Sequence, residues 1–219
     1  MIEDFFRLAL DALVFHAYRV IPSPLMSHVL AAACASLNML KLEPLTANLH
    51  FLRDFLAYGL EDSPTSGFDA TPRKNPPEVR HAVMELLKSN GEQLTQRLLT
   101  GMMFTFPRDC IPDASGVLLD MFRLMPEATA KWVQETVALL PPGSISPEEQ
   151  ERFIRNINQY VNPLHDIDET DTLSRRIVSR EVNKIRALLQ DFTNSYRRRN
   201  VTPREGLGRL EAVRFHFEE

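Results

Sequence analysis

Glycine and cysteine are both scarce, with eight glycines and two cysteines in 219 residues. So few glycines leave no phosphate-cradling loop: neither the nucleotide-binding nor the dinucleotide-binding glycine pattern occurs, and the isolated pair Gly206 and Gly208 is a weak substitute. Cys34 and Cys110 are too few for a disulfide framework or a zinc cluster, which fits a reducing compartment. Cys34 lies in an alanine-rich run and reads as a small core residue. No stretch alternates β-branched and polar residues, so no sheet is expected. The most apolar run, Val29 to Leu37, is about half the length of a membrane span. Met1-Ile2-Glu3-Asp4 is acidic where a secretory signal would be basic. These absences predict an intracellular protein without membrane insertion. A net charge of −4 provides no global field for nucleic acid, although a local basic patch stays open.

Catalytic and metal chemistry are also missing from the pattern. Histidines stand at 16, 28, 50, 81, 165 and 216, and no pair has the one-turn helical spacing with a carboxylate that zinc favours. His28 and His50 read as partly buried core or surface residues. His165-Asp166-Ile167-Asp168-Glu169-Thr170-Asp171 has alternating acids, yet it lacks the central glycine and terminal bidentate glutamate of a calcium loop. No serine or cysteine stands in a nucleophile context. We therefore expect no enzyme, no cofactor and no metal site.

What the sequence does contain is helix after helix. The clearest stretch is Ser174 to Asn200, where Val178, Val182, Ile185, Leu189, Phe192 and Tyr196 recur in steps of four and three. That spacing puts all six on one helical face. Arg175, Arg180, Lys184, Arg186 and Gln190 occupy the other, to meet water or a partner. Arg197, Arg198 and Arg199 close the helix, where cations complement the dipole, and Pro203 stops it.

Proline marks most other boundaries. A first helix is predicted over Ile2 to Arg19, and a second opens at Ser23 and Pro24 and runs to about Leu40. Pro44 opens a third with the stripe Leu45, Leu49, Leu52 and Leu56. Residues 61–76, rich in proline, serine and threonine, read as an exposed, mobile loop. A fourth helix, Pro77 to Ser89, is expected to stop at Asn90-Gly91, with a fifth over Glu92 to Phe104. A sixth carries Ala114, Val117, Leu118, Met121 and Met125, and a seventh from Pro126 carries Trp132, Val133, Val137 and Leu140. The eighth opens on Ser146-Pro147-Glu148-Glu149, which reads as a capping box with proline at the first position, and buries Phe153, Ile154, Ile157 and Tyr160.

About nine helices in pairs of roughly 45 residues give an all-α chain with the period of HEAT or armadillo units. The predicted architecture is a HEAT-repeat-like α-solenoid of four to five stacked antiparallel helical pairs over residues 1–200, forming a superhelix. An extended arginine-containing tail follows over 201–219. A compact bundle is the alternative; helices apolar on more than one side favour the stack.

Several strings carry a resemblance. Ile2-Glu3-Asp4-Phe5-Phe6-Arg7-Leu8-Ala9, Leu49 to Leu56, Leu189-Gln190-Asp191-Phe192-Thr193 and Asn194-Ser195-Tyr196-Arg197-Arg198-Arg199-Asn200, with Pro203-Arg204-Glu205-Gly206-Leu207-Gly208-Arg209-Leu210-Glu211, resemble the carboxyl-terminal repeats of transportin-SR. The fungal messenger-RNA-transport-regulator karyopherins of the importin-β type are more similar still. The resemblance implies part of a nuclear import receptor that shuttles between cytoplasm and nucleus. It implies protein cargo, such as arginine/serine-rich or other RNA-binding proteins, released when Ran binds with GTP, and nucleoporin contacts made by the full-length receptor. Such receptors are several times longer, so the resemblance implies a carboxyl-terminal portion without the amino-terminal repeats that make the main Ran contact. Residues 161–180 are longer than the family connection and read as a possible insertion. Arg197, Arg198, Arg199 and Arg204 are the candidate contacts for acidic or phosphorylated partners. The other readings are a generic HEAT scaffold and a helical RNA-binding module, and neither requires a bound cofactor.

Overall fold

Eight α-helices and no strand make up the described residues of the computed structural model, which are 1–62, 74–164 and 172–201. They are α1 (Ile2–Val20), α2 (Pro24–Ser36), α3 (Leu42–Ala57), α4 (Pro77–Thr100), α5 (Ile111–Leu124), α6 (Pro126–Ala138), α7 (Pro147–Val161) and α8 (Thr172–Asn200). Of the predicted loop 61–76, residues 63–73 lie outside the described residues. So do 165–171 of the 161–180 stretch, including the acidic string from His165, and 202–219 of the tail. From Thr172 onward that stretch is helix.

The helices stack as an α-solenoid in two layers. In one, α1 packs on α3, α3 on α5 and α5 on α8; in the other, α2 packs on α4, α4 on α6 and α6 on α7. From α1 to α4 each helix thus meets the next-but-one helix of the chain, as stacked hairpins require. The last pair is set the other way round. α7 stays in the layer of α6, and α8 returns to the layer of α5. Arg197, near the end of α8, reaches residues just before α5, so α8 runs antiparallel to α5. By contrast, Phe6 with Phe51 and Leu13 with Tyr58 show that α1 and α3 run parallel.

Burial follows the sequence stripes. Leu45, Leu49, Leu52 and Leu56 of α3 are all fully buried, and so are Phe51, Phe55 and Asn48 beside them. A helix buried on more than one side belongs in the middle of a stack. Asn48 is tolerated there because its amide donates to the Ala33 carbonyl at 2.8 Å, tying α3 to α2. In α1 the helical geometry breaks at His16, with φ −140° and ψ 22°. The Tyr58 hydroxyl donates to the nearby Leu13 carbonyl at 3.1 Å, so the kink coincides with a side chain entering the helical ladder.

Three local expectations change. The predicted break at Asn90-Gly91 does not occur, and α4 runs through it as one helix of 24 residues. Gly91 is there for packing: a Cβ at this position would lie 2.3 Å from the Trp132 ring of α6. Ser23 stands before α2 in extended geometry, but its hydroxyl donates back to the Val20 carbonyl instead of capping the helix. At α7 the Ser146 oxygen accepts the Glu149 N–H at 3.2 Å, as predicted, while the Glu149 carboxylate leaves the cap and pairs with Arg199.

Candidate functional site

Arg197, Arg198 and Arg199 are consecutive, and their surroundings diverge. The helix α4 ends in a π-turn, Gly101–Thr105, in which the Phe106 N–H bonds the Gly101 carbonyl at 2.7 Å. The Phe106 ring lies over Gly101, where a Cβ would come within 2.2 Å of it. This turn leaves carbonyl groups without helical donors. Arg197 supplies them: its Nη1 donates to the Met102 oxygen at 3.2 Å and to the Phe106 oxygen at 2.9 Å. With only 9% of its surface exposed, Arg197 is an internal clamp, which corrects the expectation that it faces a partner. Tyr196 packs edge-to-face on Phe104 beside it, with ring centroids 5.1 Å apart.

Arg199 is exposed and bonded to Glu149 of α7, which holds its guanidinium still more firmly protonated. Asn200 adds a bond from its amide to the Ser144 carbonyl at 3.1 Å. Arg198 is exposed too, on the outer side of α8. Arg204 lies outside the described residues. The three cations therefore do not form one patch. Two of them fasten α8 to its neighbours.

All six predicted stripe residues of α8, Val178 to Tyr196, are buried. Phe192 stacks on Phe153 of α7 with centroids 3.9 Å apart. The opposite face is polar and exposed at Arg176, Arg180, Asn183, Lys184, Arg186 and Arg198. Beneath Arg180 and Lys184, Glu181 is covered by its own partners, at 2.8 Å and 2.9 Å. Burial raises its pKa, but the bonds from Lys184 and Arg180 outweigh that and hold the carboxyl below its usual range. Apart from Leu173 at its start, which is 68% exposed, this outer face of α8 is finished for water.

The other end of the stack differs. In α1, Phe6, Leu13 and Ala17 face α3 and are buried, whereas Phe5, Leu8 and Phe15 point outward, with Leu8 and Phe15 each 69% exposed. Their spacing of three and seven residues aligns them on one outward stripe. Leu25, Ala31 and Ala35 of α2 are exposed as well. Exposed apolar side chains grouped on one side of a helix, here with Asp4 and Asp11 among them, are a feature of interaction surfaces. The sequence contained them as a second apolar stripe on α1.

The cysteines are internal. Cys34 and Cys110 are buried thiols, and desolvation raises Cys34 to about 11 and Cys110 above its ordinary value. His28 and His50 are exposed. Among the described residues, no helix is long and apolar enough to cross a membrane.

No family model matches the chain. It is similar to an uncharacterized protein of Schizosaccharomyces pombe, with 36% identity over 211 residues, 94% of this chain and 20% of that protein. It is also similar to the mRNA transport regulator MTR10 of Saccharomyces cerevisiae, at 25% identity over 215 residues, 93% of this chain and 20% of that protein. The chain thus spans about a fifth of the length of the curated relatives it matches.

Proposed function

We propose that this chain is the closing, carboxyl-terminal portion of a karyopherin-type nuclear import receptor. In this reading, the outward stripe Phe5, Leu8 and Phe15 is covered by a further helical pair of the same kind, contributed by the longer polypeptide. The observation that carries it is the asymmetry of the stack, apolar on the outer side of α1 and polar on the outer side of α8. A solenoid's terminal repeat needs a polar outer face, and its inner repeats do not. The occupant follows from continuity: α1 packs on α3 through one face and offers a second, as α3 does between α1 and α5. Similarity to MTR10 over nearly the whole chain supports a transport role for the stack.

The function needs no catalytic chemistry or cofactor. Neighbour-to-neighbour contacts let a solenoid change curvature at modest energetic cost, so binding at one region can reshape another. The cargo would be protein, of the arginine/serine-rich or other RNA-binding class. Ran and nucleoporins would act through the whole receptor as it shuttles between cytoplasm and nucleus. Arg198 is the member of the triplet placed to meet an acidic or phosphorylated partner.

The test begins with the native protein's size on a blot with an antibody against residues 201–219. A species several times larger than 25.1 kDa is expected, and deleting residues 1–219 from it should abolish nuclear accumulation of its cargo in permeabilised cells. A native species near 25 kDa, or undiminished import after the deletion, would overturn the reading. A generic scaffold would show no Ran dependence of partner release.

A further inference from the structure

Positive charge is concentrated on α8: its 29 residues hold eight of the chain's 25 lysines and arginines and only two carboxylates, Glu181 and Asp191. The whole chain has a net charge of −4, so this surplus is local. On the outer side of the helix Arg176, Arg180 and Lys184 recur every fourth residue. Arg198 follows Arg180 by five whole turns, so the four share one side. Beside them α7 runs antiparallel, with the Glu149–Arg199 bond at one end of the seam. Lys184 lies over the Tyr160 ring at the other end, 5.3 Å from its centroid. Arg152 is exposed on the edge of α7 that also carries Glu149 and Tyr160. The charges of this surface are unequally answered. Arg180 and Lys184 both bond Glu181, whose side chain is 3% exposed, so the three groups keep one net positive charge and the two cations are held in place. Arg152, Arg176 and Arg198 are exposed and have no ion pair among the described residues. Of the carboxylates on α7, Glu149 is taken by Arg199, Glu151 by Arg155 and Glu148 by the Ser146 cap. Only Glu181 and Asp191 then stand against five cations.

We propose that this surface, from Arg176 to Arg198 on α8 with Arg152 of α7, binds an extended acidic segment of a partner protein. Charge complementarity commits it to an anion, and the arginine fork matches a carboxylate with two parallel donors. Arg176 and Arg198 stand about 33 Å apart along the helix at 1.5 Å per residue, the reach of about ten residues of extended peptide. A single-stranded nucleic acid would also need aromatic rings on which to stack. Phe153, Phe192 and Tyr196 are buried and Tyr160 lies under Lys184, so α7 and α8 present no exposed ring. A longer polyanion would moreover run off the patch onto a chain with an excess of carboxylates. The proposal takes in Arg198 but does not need the transport reading. A chain that fails to bind acidic peptide can still be part of a receptor, and a free-standing chain can still bind it.

The test is fluorescence anisotropy of a labelled peptide of alternating glutamate and serine, about ten residues long so as to span the patch, titrated with the full chain at low salt. The same peptide with glutamine for glutamate and an oligouridine of equal charge are run beside it. Saturable binding of the glutamate peptide is expected, weakening as salt rises, with none of the glutamine peptide and weaker binding of the oligouridine. Arg152→Gln, Arg176→Gln and Arg198→Gln combined should lower the affinity about tenfold, each exposed pair contributing roughly two- to threefold. Lys131→Gln on α6, equally exposed, should leave it unchanged. Circular dichroism checks that the variants are folded, and the salt dependence of the unsubstituted chain gives a readout that needs no variant. Equal binding of the glutamine peptide, tighter binding of the oligouridine, or full affinity in the triple variant would overturn the proposal.

Discussion

The guanidinium of Arg197 donates to the carbonyl oxygen of Phe106 at 2.9 Å, across 91 positions of the chain. This bond joins the end of the last helix to the π-turn that ends α4. It also turns the first member of an arginine triplet into part of the interior. Replacing Arg197 with methionine keeps most of the side-chain bulk and leaves the Met102 and Phe106 carbonyls without this donor. We expect a loss of about 2–4 kcal/mol in urea unfolding, the scale of charge-assisted bonds and unsatisfied buried acceptors. Arg198→Ala, on the outer side, should change stability by less than about 0.5 kcal/mol. Equal effects of the two would contradict the clamp.

Gly91→Ala tests packing against propensity. In an exposed helix interior this change stabilises by about 0.5–1 kcal/mol. Here the new methyl would meet Trp132 at 2.3 Å, and we expect destabilisation of about 1–3 kcal/mol, the range of overpacked cores. Trp132→Leu in the same chain should recover part of the loss. A melting temperature raised by Gly91→Ala alone would show that the ring moves aside freely.

At the final pair, Leu189→Ala and Phe192→Ala should each cost about 2–5 kcal/mol. Phe192 stacks on Phe153, so Phe153→Ala and Phe192→Ala should couple in a double-mutant cycle instead of adding. Thermal unfolding unchanged by either single substitution would contradict the buried stripe.

The acid range gives a sign that can be checked. Burial raises Asp54 and Asp120 above their unfolded values, so the folded chain binds the proton more tightly than the unfolded chain. Their contribution to stability therefore grows as pH falls through the raised folded values and weakens as pH rises past them. Asp120→Asn should hold or increase stability at neutral pH and flatten this slope in mildly acidic buffer. Glu61 and Glu85, lowered by Lys74 and Lys88, have the opposite sign, but Glu85 is exposed and Glu61 is partly exposed, so salt should weaken their effect. A steeper acid slope in Asp120→Asn would reverse the assignment.

The outward stripe of α1 predicts behaviour of the chain on its own. Residues 1–219 in isolation should self-associate or bind a hydrophobic dye, and Leu8→Glu with Phe15→Glu should suppress this without loss of helicity. Sedimentation that shows a clean monomer for the unsubstituted chain would remove the stacking face.

The sequence by itself determined where helices form and which side of each is apolar. Periodicity and proline placement act within a turn or two of backbone, so the α8 stripe from Val178 to Tyr196, the α3 stripe and the start of α7 at Ser146-Pro147 were legible. Tertiary structure decided what depends on distant partners. Gly91 reads locally as a stop, and only the ring of Trp132 explains why α4 continues. Glu149 reads as half of a capping box, but Arg199, 50 positions away, provides a charged partner that the cap cannot. Arg197 reads as surface charge until the carbonyls of the π-turn are placed beside it. Asp54 and Asp120 belong to separate helical patterns, and the cleft they both line exists only once α3 packs on α5. Local patterns fix backbone geometry; the fate of a charge depends on which distant groups replace its water.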